Sequence, residues 1–353
     1  MCMIVKNEES SIERCLKSVE GIVSEKIIVD TGSEDRTIEL CKEHQAHVFP
    51  YEWNDSFADA RNFGLTHASG DWILWLDADE ELGTFEKEDL TMYLSQAQSS
   101  ILSLPVIHYY GDALPVQTNQ AHLYHQNRLF KNQAGIKFYN RIHEIPLLPN
   151  GADEKTDILA LPVHHYGYLK EIAEKKQKSS RNLRLLEIEA EEPGHSPWIE
   201  YHLASEYYRH GKIELAFALV NQSILKFIQE GKMPPSMLYK LKYTILLDTN
   251  NTEGTREGLE KALLLYPDYT DLHFYKGMIL YQERDFDEAI RAFDTCLELG
   301  ENHPHHLILK GAGSFKAWNC KGLCLERLGR IKESQEAFAM AGGVEWQNQE
   351  GKT

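Results

Sequence analysis

The sequence predicts an α/β domain built on a mostly parallel sheet, followed by an all-α repeat domain. Three observations carry this expectation. From Cys2 to Tyr110, short β-branched runs alternate with amphipathic helical segments. From Pro197 onward the pattern is almost wholly helical, with a recurring arrangement of small and large residues. The 353 residues, at roughly 150 per domain, make about two domains, each long enough for its own core.

In chain order, Cys2–Val5 is an apolar run that stops at Lys6-Asn7-Glu8-Glu9. Ser10 stands three residues before Glu13, the spacing of a capping box, and Ile12, Cys15, Leu16 and Val19 follow at helical period. Gly21 ends that helix, and Lys26–Asp30 reads as a buried parallel strand. Thr31–Asp35 is a turn, Arg36–Lys42 a helix, His47–Phe49 a strand and Phe57–His67 a helix closed by Gly70. Trp72–Leu76 is an apolar strand that ends abruptly in Asp77-Ala78-Asp79-Glu80-Glu81. Glu86–Gln98 reads as a helix and Ile101–Tyr110 as a strand. Leu123–Phe130, Ile136–Phe138, Ile142–Ile145 and Ile158–Val163 follow as short strands between Gly, Pro and Asn, a smaller and partly antiparallel portion. A charged helix, Lys170–Glu192, leads to Pro193-Gly194, which sets domains of 1–192 and 193–353.

Three blocks in the C-terminal half share a small residue, a large one three on, a turn four later and a small one five after that. They are Ala204/Tyr207/Gly211/Ala216, Gly277/Leu280/Arg284/Ala289 and Gly322/Leu325/Gly329/Ser334. Phe293 and Phe338 each lie four residues beyond the last position. These blocks resemble the tetratricopeptide repeat, in which small residues let two antiparallel helices approach. Leu238–Tyr266 leaves room for a degenerate repeat, and an insertion around His303-Pro304-His305-His306 reads as a polar loop between repeats. Repeat arrays bind extended peptides or other subunits, so acceptor recognition or a homodimer is expected. Support of the first domain is the plainer alternative. Cys320 and Cys324, four apart on a repeat helix, read as packing.

Lys+Arg 37 against Asp+Glu 54 leave a net charge of −17, which argues against nucleic acid or an anionic membrane as partner. No apolar run approaches the roughly 20 residues of a membrane span. Met1–Val5 is too short for a secretory signal. Six scattered cysteines make no disulfide framework, so a cytoplasmic protein is expected.

Asp77-Ala78-Asp79 sits at the carboxyl end of a strand, the side on which open α/β sheets bind ligands. Carboxylates at i and i+2 on extended backbone project to one side and suit a hard divalent cation. Such a cation would let an acidic protein hold a diphosphate. An acidic strand-to-helix loop has the same local sequence. The context goes further. Ile4–Glu9, Val29–Thr37, Phe57–Gly64 and Trp72–Glu81, in this order, resemble the family 2 glycosyltransferases of the GT-A nucleotide-sugar fold, over roughly residues 1–110.

The resemblance implies that the backbone at Val5 and the acid Glu8 line a nucleotide pocket, and that Asp30 accepts from uracil N3–H. It implies Arg61 near the diphosphate, Asp77 on the ribose or in the metal shell, and Asp79 on Mg²⁺ or Mn²⁺, a Lewis acid for the departing nucleoside diphosphate. Asn127–Phe130, Arg141–Glu144, His164–Tyr168 and Ser180–Asn182 resemble family members with an appended helical repeat domain, a subgroup that includes the S-glycosyltransferases of glycocin bacteriocins. By that resemblance His165, with His164 beside it, completes the metal site. Arg128 and Arg181 would contact phosphate or form surface ion pairs.

One departure matters. Many family 2 enzymes carry, in the second half of this domain, a Glu-Asp pair whose acid deprotonates the acceptor hydroxyl, and no such pair occurs in that region here. Glu144, beside His143, is the nearest candidate base. A thiol, with pKa ~8.5, needs less help than a hydroxyl, which is compatible with a cysteine acceptor. The expected activity is metal-dependent, inverting transfer from UDP-glucose or a close relative to a peptide or protein. The competing expectations are a polysaccharide or lipid-linked acceptor, and a non-catalytic repeat scaffold with a decayed sugar-nucleotide domain.

Overall fold

The computed structural model describes residues 1–149, 156–175, 178–251 and 254–342. The chain divides into two compact units, Met1–Glu189 and Ala190–Thr353.

In the first unit, β1 (Cys2–Val5), β2 (Ile27–Asp30) and β3 (His47–Pro50) form a parallel sheet in that order. Helices α1 (Ile12–Ser18) and α2 (Thr37–Glu43) connect them. A bridge from Cys2 to Trp75 joins β1 to the chain just beyond β4 (Trp72–Leu74). The sheet then turns antiparallel, because β7 (Ala121–Lys131) pairs with both β4 and β6 (Ile101–Gly111) in that sense. Next comes β11 (Val163–Leu169), parallel to β6 and antiparallel to β5 (Glu80–Leu82). A separate hairpin joins β8 (Lys137–Tyr139) to β9 (Ile145–Leu147), and β10 (Asp157–Ile158) runs beside β6. Helices α3 (Phe57–Leu65) and α4 (Lys87–Gln96) complete the α/β portion.

Both faces of β1 are buried, which is why its residues are apolar without alternation. Met3 and Val5 pack with Ile12, Cys15 and Leu16, whereas Cys2 packs with Ile27, Ala58 and Trp75.

Several local details differ from the sequence reading. Ser11, not Ser10, precedes α1, and its hydroxyl donates to Glu8 Oε2 at 2.6 Å instead of capping the helix. Glu13 is drawn to Lys17 one turn on, at 2.7 Å. The strand expected over Ile142–Ile145 begins only at Ile145, because His143 has φ 52°, a left-handed conformation that breaks extended backbone. The charged helix consists of α5 (Lys170–Lys175) and α6 (Lys178–Glu191), and residues 176–177 between them lie outside the described residues. Asp77-Ala78-Asp79 is not extended throughout. The Glu80 N–H donates back to the Asp77 carbonyl at 3.0 Å, which makes the segment a turn.

The second unit is a series of helix pairs: α7 (Trp198–Arg209) with α8 (Ile213–Gln229), α9 (Ser236–Asp248) with α10 (Thr255–Leu265), α11 (Thr270–Gln282) with α12 (Phe286–Leu299), and α13 (Phe315–Arg327) with α14 (Ile331–Met340). The degenerate repeat is the α9/α10 pair. Gly277 is where α11 meets α12. A Cβ there would lie 2.6 Å from the Phe293 ring, and Gly322 meets Phe338 in the same way at 2.6 Å. Gly277→Ala is therefore expected to cost about 1–3 kcal/mol by overpacking, read as a lowered urea midpoint in the full chain. An unchanged midpoint would mean that the helices can part at no cost.

The loop before α13 is not the solvated linker its polarity suggests. His306 is 4% exposed. It stacks on Tyr269 with ring centroids 4.4 Å apart, and bonds Ser236 Oγ at 2.9 Å and Asp268 Oδ1 at 3.1 Å. Burial of its ring was compatible with polarity because each nitrogen found a partner. Cys320 and Cys324 are both buried in packing, with Cys320 Sγ 3.8 Å from Met278 Sδ. No helix among the described residues is long and apolar enough to cross a membrane.

Candidate active site

Parallel strands deliver their carboxyl ends to one edge of the sheet, and the candidate residues gather there. The Val5 carbonyl accepts from the Thr31 N–H and hydroxyl, each at 3.0 Å. Asp30, buried at the end of β2, accepts from the Gly32 N–H at 3.1 Å and the Ser33 N–H at 3.2 Å. Its carboxylate is thus oriented by its own turn, with lone pairs to spare. The Glu8 N–H donates to Thr37 Oγ1 at 2.7 Å, which ties the loop after β1 to α2.

Arg61, buried on α3, forms the centre. Its Nη2 donates to Asp77 Oδ1 at 3.2 Å, its Nε donates to Glu144, and its guanidinium lies 4.6 Å over the Trp75 ring. Arg128 on β7 approaches Asp77 Oδ2 at 3.7 Å through Nη1 and bonds Glu80 Oε1 at 2.5 Å through Nη2. Glu80 in turn accepts the Asp77 N–H at 2.9 Å. Desolvation pushes the Asp77 carboxyl up, but Arg61 and Arg128 outweigh it and hold it below its ordinary value. Burial wins at Glu80, whose carboxyl is raised despite Arg128.

Arg181, from α6, lies 4.9 Å over the Phe57 ring. Burial lowers its pKa, opposed by Glu8, Glu144 and Asp79, so it shares a neighbourhood with three of the candidate acids. Buried N–H groups at Arg61 Nη1, Arg128 Nε and Arg181 Nε make no hydrogen bond among the described residues. They are donors of the kind that phosphate oxygens accept from.

Asp79, 3% exposed, lies beside β11, with its Oδ1 3.6 Å from His165 Nε2. His165 Nδ1 meets His108 Nδ1 at 2.8 Å, and His108 Nε2 lies 3.4 Å from the Gln126 amide nitrogen. His164, one residue earlier on the strand, points the opposite way and meets the Tyr109 hydroxyl at 3.0 Å. His143 is exposed, on the bend that aims Glu144 at Arg61.

The structure thus brings Arg61, Asp77, Arg128 and Glu144 into direct contact and pairs Asp79 with His165. Sequence reasoning missed Glu80, His108 and Gln126. Glu80 was hidden inside an acidic run. For His108 a signal existed, since two adjacent strands each carry a histidine, but their pairing depends on register.

Residues 1–147 match the glycosyl transferase family 2 model, and residues 270–303 match a tetratricopeptide repeat. A TPR repeat-containing protein of Synechococcus elongatus is 30% identical over 254 residues, which cover 70% of this chain and 60% of that protein. The SPbeta prophage-derived glycosyltransferase SunS of Bacillus subtilis is 27% identical over 285 residues, 79% of this chain and 65% of that protein. The chain therefore spans less than two thirds of the length of these relatives. Among solved structures, MamA from Desulfovibrio magneticus superposes on 49% of this chain and 89% of its own, with 14% identity and a TM-score of 0.40.

Proposed function

We propose that this chain, whose first 147 residues form a glycosyl transferase family 2 domain, moves a sugar from a UDP-sugar to a peptide or protein acceptor, with inversion at C1 and dependence on Mn²⁺ or Mg²⁺. The observation that carries this reading is the Asp79–His165 pair, set beside an Asp77 carboxylate flanked by Arg61 and Arg128. Similarity to a protein named as a glycosyltransferase over 79% of this chain supports it.

A carboxylate and an imidazole suit Mn²⁺, so Asp79 and His165 would hold the cation, with Asp77 adjacent. Among the described residues no group of three or more His, Cys, Asp or Glu side chains forms a metal cage. The diphosphate and water would complete the shell. When bound, the cation stabilises the charge that grows on the departing diphosphate. The chain's own residues do the rest. Asp30 presents a fixed acceptor to uracil N3–H, with Val5 and Glu8 beside it. The unbonded N–H groups of Arg61, Arg128 and Arg181 donate to phosphate oxygens. Glu144, held through one oxygen by Arg61, takes the proton of an acceptor hydroxyl as that oxygen attacks C1. With a cysteine acceptor, whose thiol loses its proton near pH ~8.5, the demand on Glu144 falls. The repeat unit recruits the acceptor polypeptide.

The test is UDP release from a panel of UDP-sugars without acceptor, in Mn²⁺ and in EDTA. Slow hydrolysis of UDP-glucose or a close relative, stopped by chelation, is the expected result. No hydrolysis together with no UDP binding would overturn the reading in favour of a scaffold.

A further inference from the structure

Resting on the reading of Asp79 and His165 as cation ligands, we propose that His108 and Gln126 are positioning residues that set the tautomer of His165, and thereby decide whether its Nε2 offers a lone pair or a proton toward Asp79. His108 on β6 and His165 on β11 are register partners, and their rings meet at 90° with centroids 5.0 Å apart. That geometry points one Nδ1 at the other, 2.8 Å apart, so a single proton lies between them.

The consequence follows by counting protons along the row Gln126–His108–His165–Asp79. If the shared proton belongs to His165 Nδ1, then His165 Nε2 is unprotonated and presents a lone pair on the Asp79 side, 3.6 Å from Oδ1. His108 then accepts at Nδ1 and carries its own proton on Nε2, which faces the Gln126 amide at 3.4 Å. Turning that amide end for end supplies Oε1 as the acceptor. If the shared proton belongs to His108, every bond reverses. Gln126 donates to His108, His108 donates to His165, and His165 Nε2–H points at Asp79. Both arrangements hold the same number of protons; in the first the His165 Nε2 lone pair faces the Asp79 carboxylate and needs the cation between them, in the second the Nε2–H donates toward it. They differ in whether His165 is a ligand or a hydrogen-bond donor. A partner on the distal nitrogen is the usual means of fixing a metal-binding histidine.

His108 is 7% exposed and its ring nitrogens meet His165 and Gln126, so its part is to act through His165. A phenyl ring in its place keeps the volume and removes the acceptor. An asparagine removes the ring but keeps an acceptor oxygen near the position of Nδ1.

The experiment measures Mn²⁺ affinity of the full chain in saturating UDP, from the free-Mn²⁺ signal in electron paramagnetic resonance, with circular dichroism as a check of fold. His108→Phe is expected to bind Mn²⁺ about 10–100-fold more weakly, His108→Asn close to wild type, and Gln126→Met between the two. Wild-type affinity in His108→Phe, or equal loss in Phe and Asn variants, would overturn the positioning role. If Asp79→Ala bound Mn²⁺ as tightly as wild type, the cation site itself would be misassigned and the proposal would fall with it. A weakened Asp79→Ala beside an unaffected His108→Phe would sink this proposal alone.

Discussion

Asp79→Ala is expected to lower UDP-sugar turnover in excess Mn²⁺ by about 10³-fold or more. A bound cation contributes several kcal/mol to stabilising a departing diphosphate, and each ~1.4 kcal/mol is a factor of ten in rate. The side chain is buried, with its Oδ1 3.6 Å from His165 Nε2, where the cation would be held. The fold should survive the change, because the Asp79 backbone carbonyl still accepts the Tyr166 N–H at 3.0 Å and His165 keeps its bond to His108. Turnover assays at matched protein concentration decide the matter. Undiminished hydrolysis and transfer in Asp79→Ala would remove the cation from this site.

The largest stability effect is expected in the repeat unit, at Lys240. Its ammonium is ion-paired with Asp271 across α9 and α11, with side-chain exposures of 7% and 0%. Burial lowers the Lys240 pKa, and Asp271 opposes that shift. The pair also organises the loop before α13. Asp271 accepts the Leu309 N–H at 3.0 Å, while Lys240 donates to the Leu307 carbonyl at 3.0 Å. Lys240→Met would strip the buried Asp271 carboxylate of its paired ammonium and leave only Lys316 acting on it, a change that costs about 3–5 kcal/mol. Adding Asp271→Asn removes the charge and keeps an acceptor for Leu309, so the double variant should recover part of the loss. Urea unfolding of the full chain followed by circular dichroism would report both steps. A cost below about 1 kcal/mol for Lys240→Met would mean that the pair is solvated after all.

The edge that carries the candidate site was legible to different depths. Asp77 and Asp79 announced themselves because an apolar strand ending in carboxylates is a local pattern. Arg61 came with its helix. Glu144 could be named as an acid in the right region, but its bond to Arg61 spans 83 residues of sequence and no periodicity encodes it. The turn at Asp77–Glu80 was misread as extended, because the Glu80 carboxylate that holds the Asp77 N–H looked like one more charge in a run.

The amino-acid sequence by itself determined the alternation of strand and helix, the burial of β2 on both faces, and the helix pairs of the second unit. Each follows from the local spacing of apolar and small residues, which acts over one or two turns. Tertiary structure alone decided which side chains meet: His108 with His165 across 57 residues, Lys240 with Asp271, His306 with Ser236. Those contacts depend on strand register and helix packing between segments far apart in the chain. A shift of one residue would turn each strand partner to the opposite face.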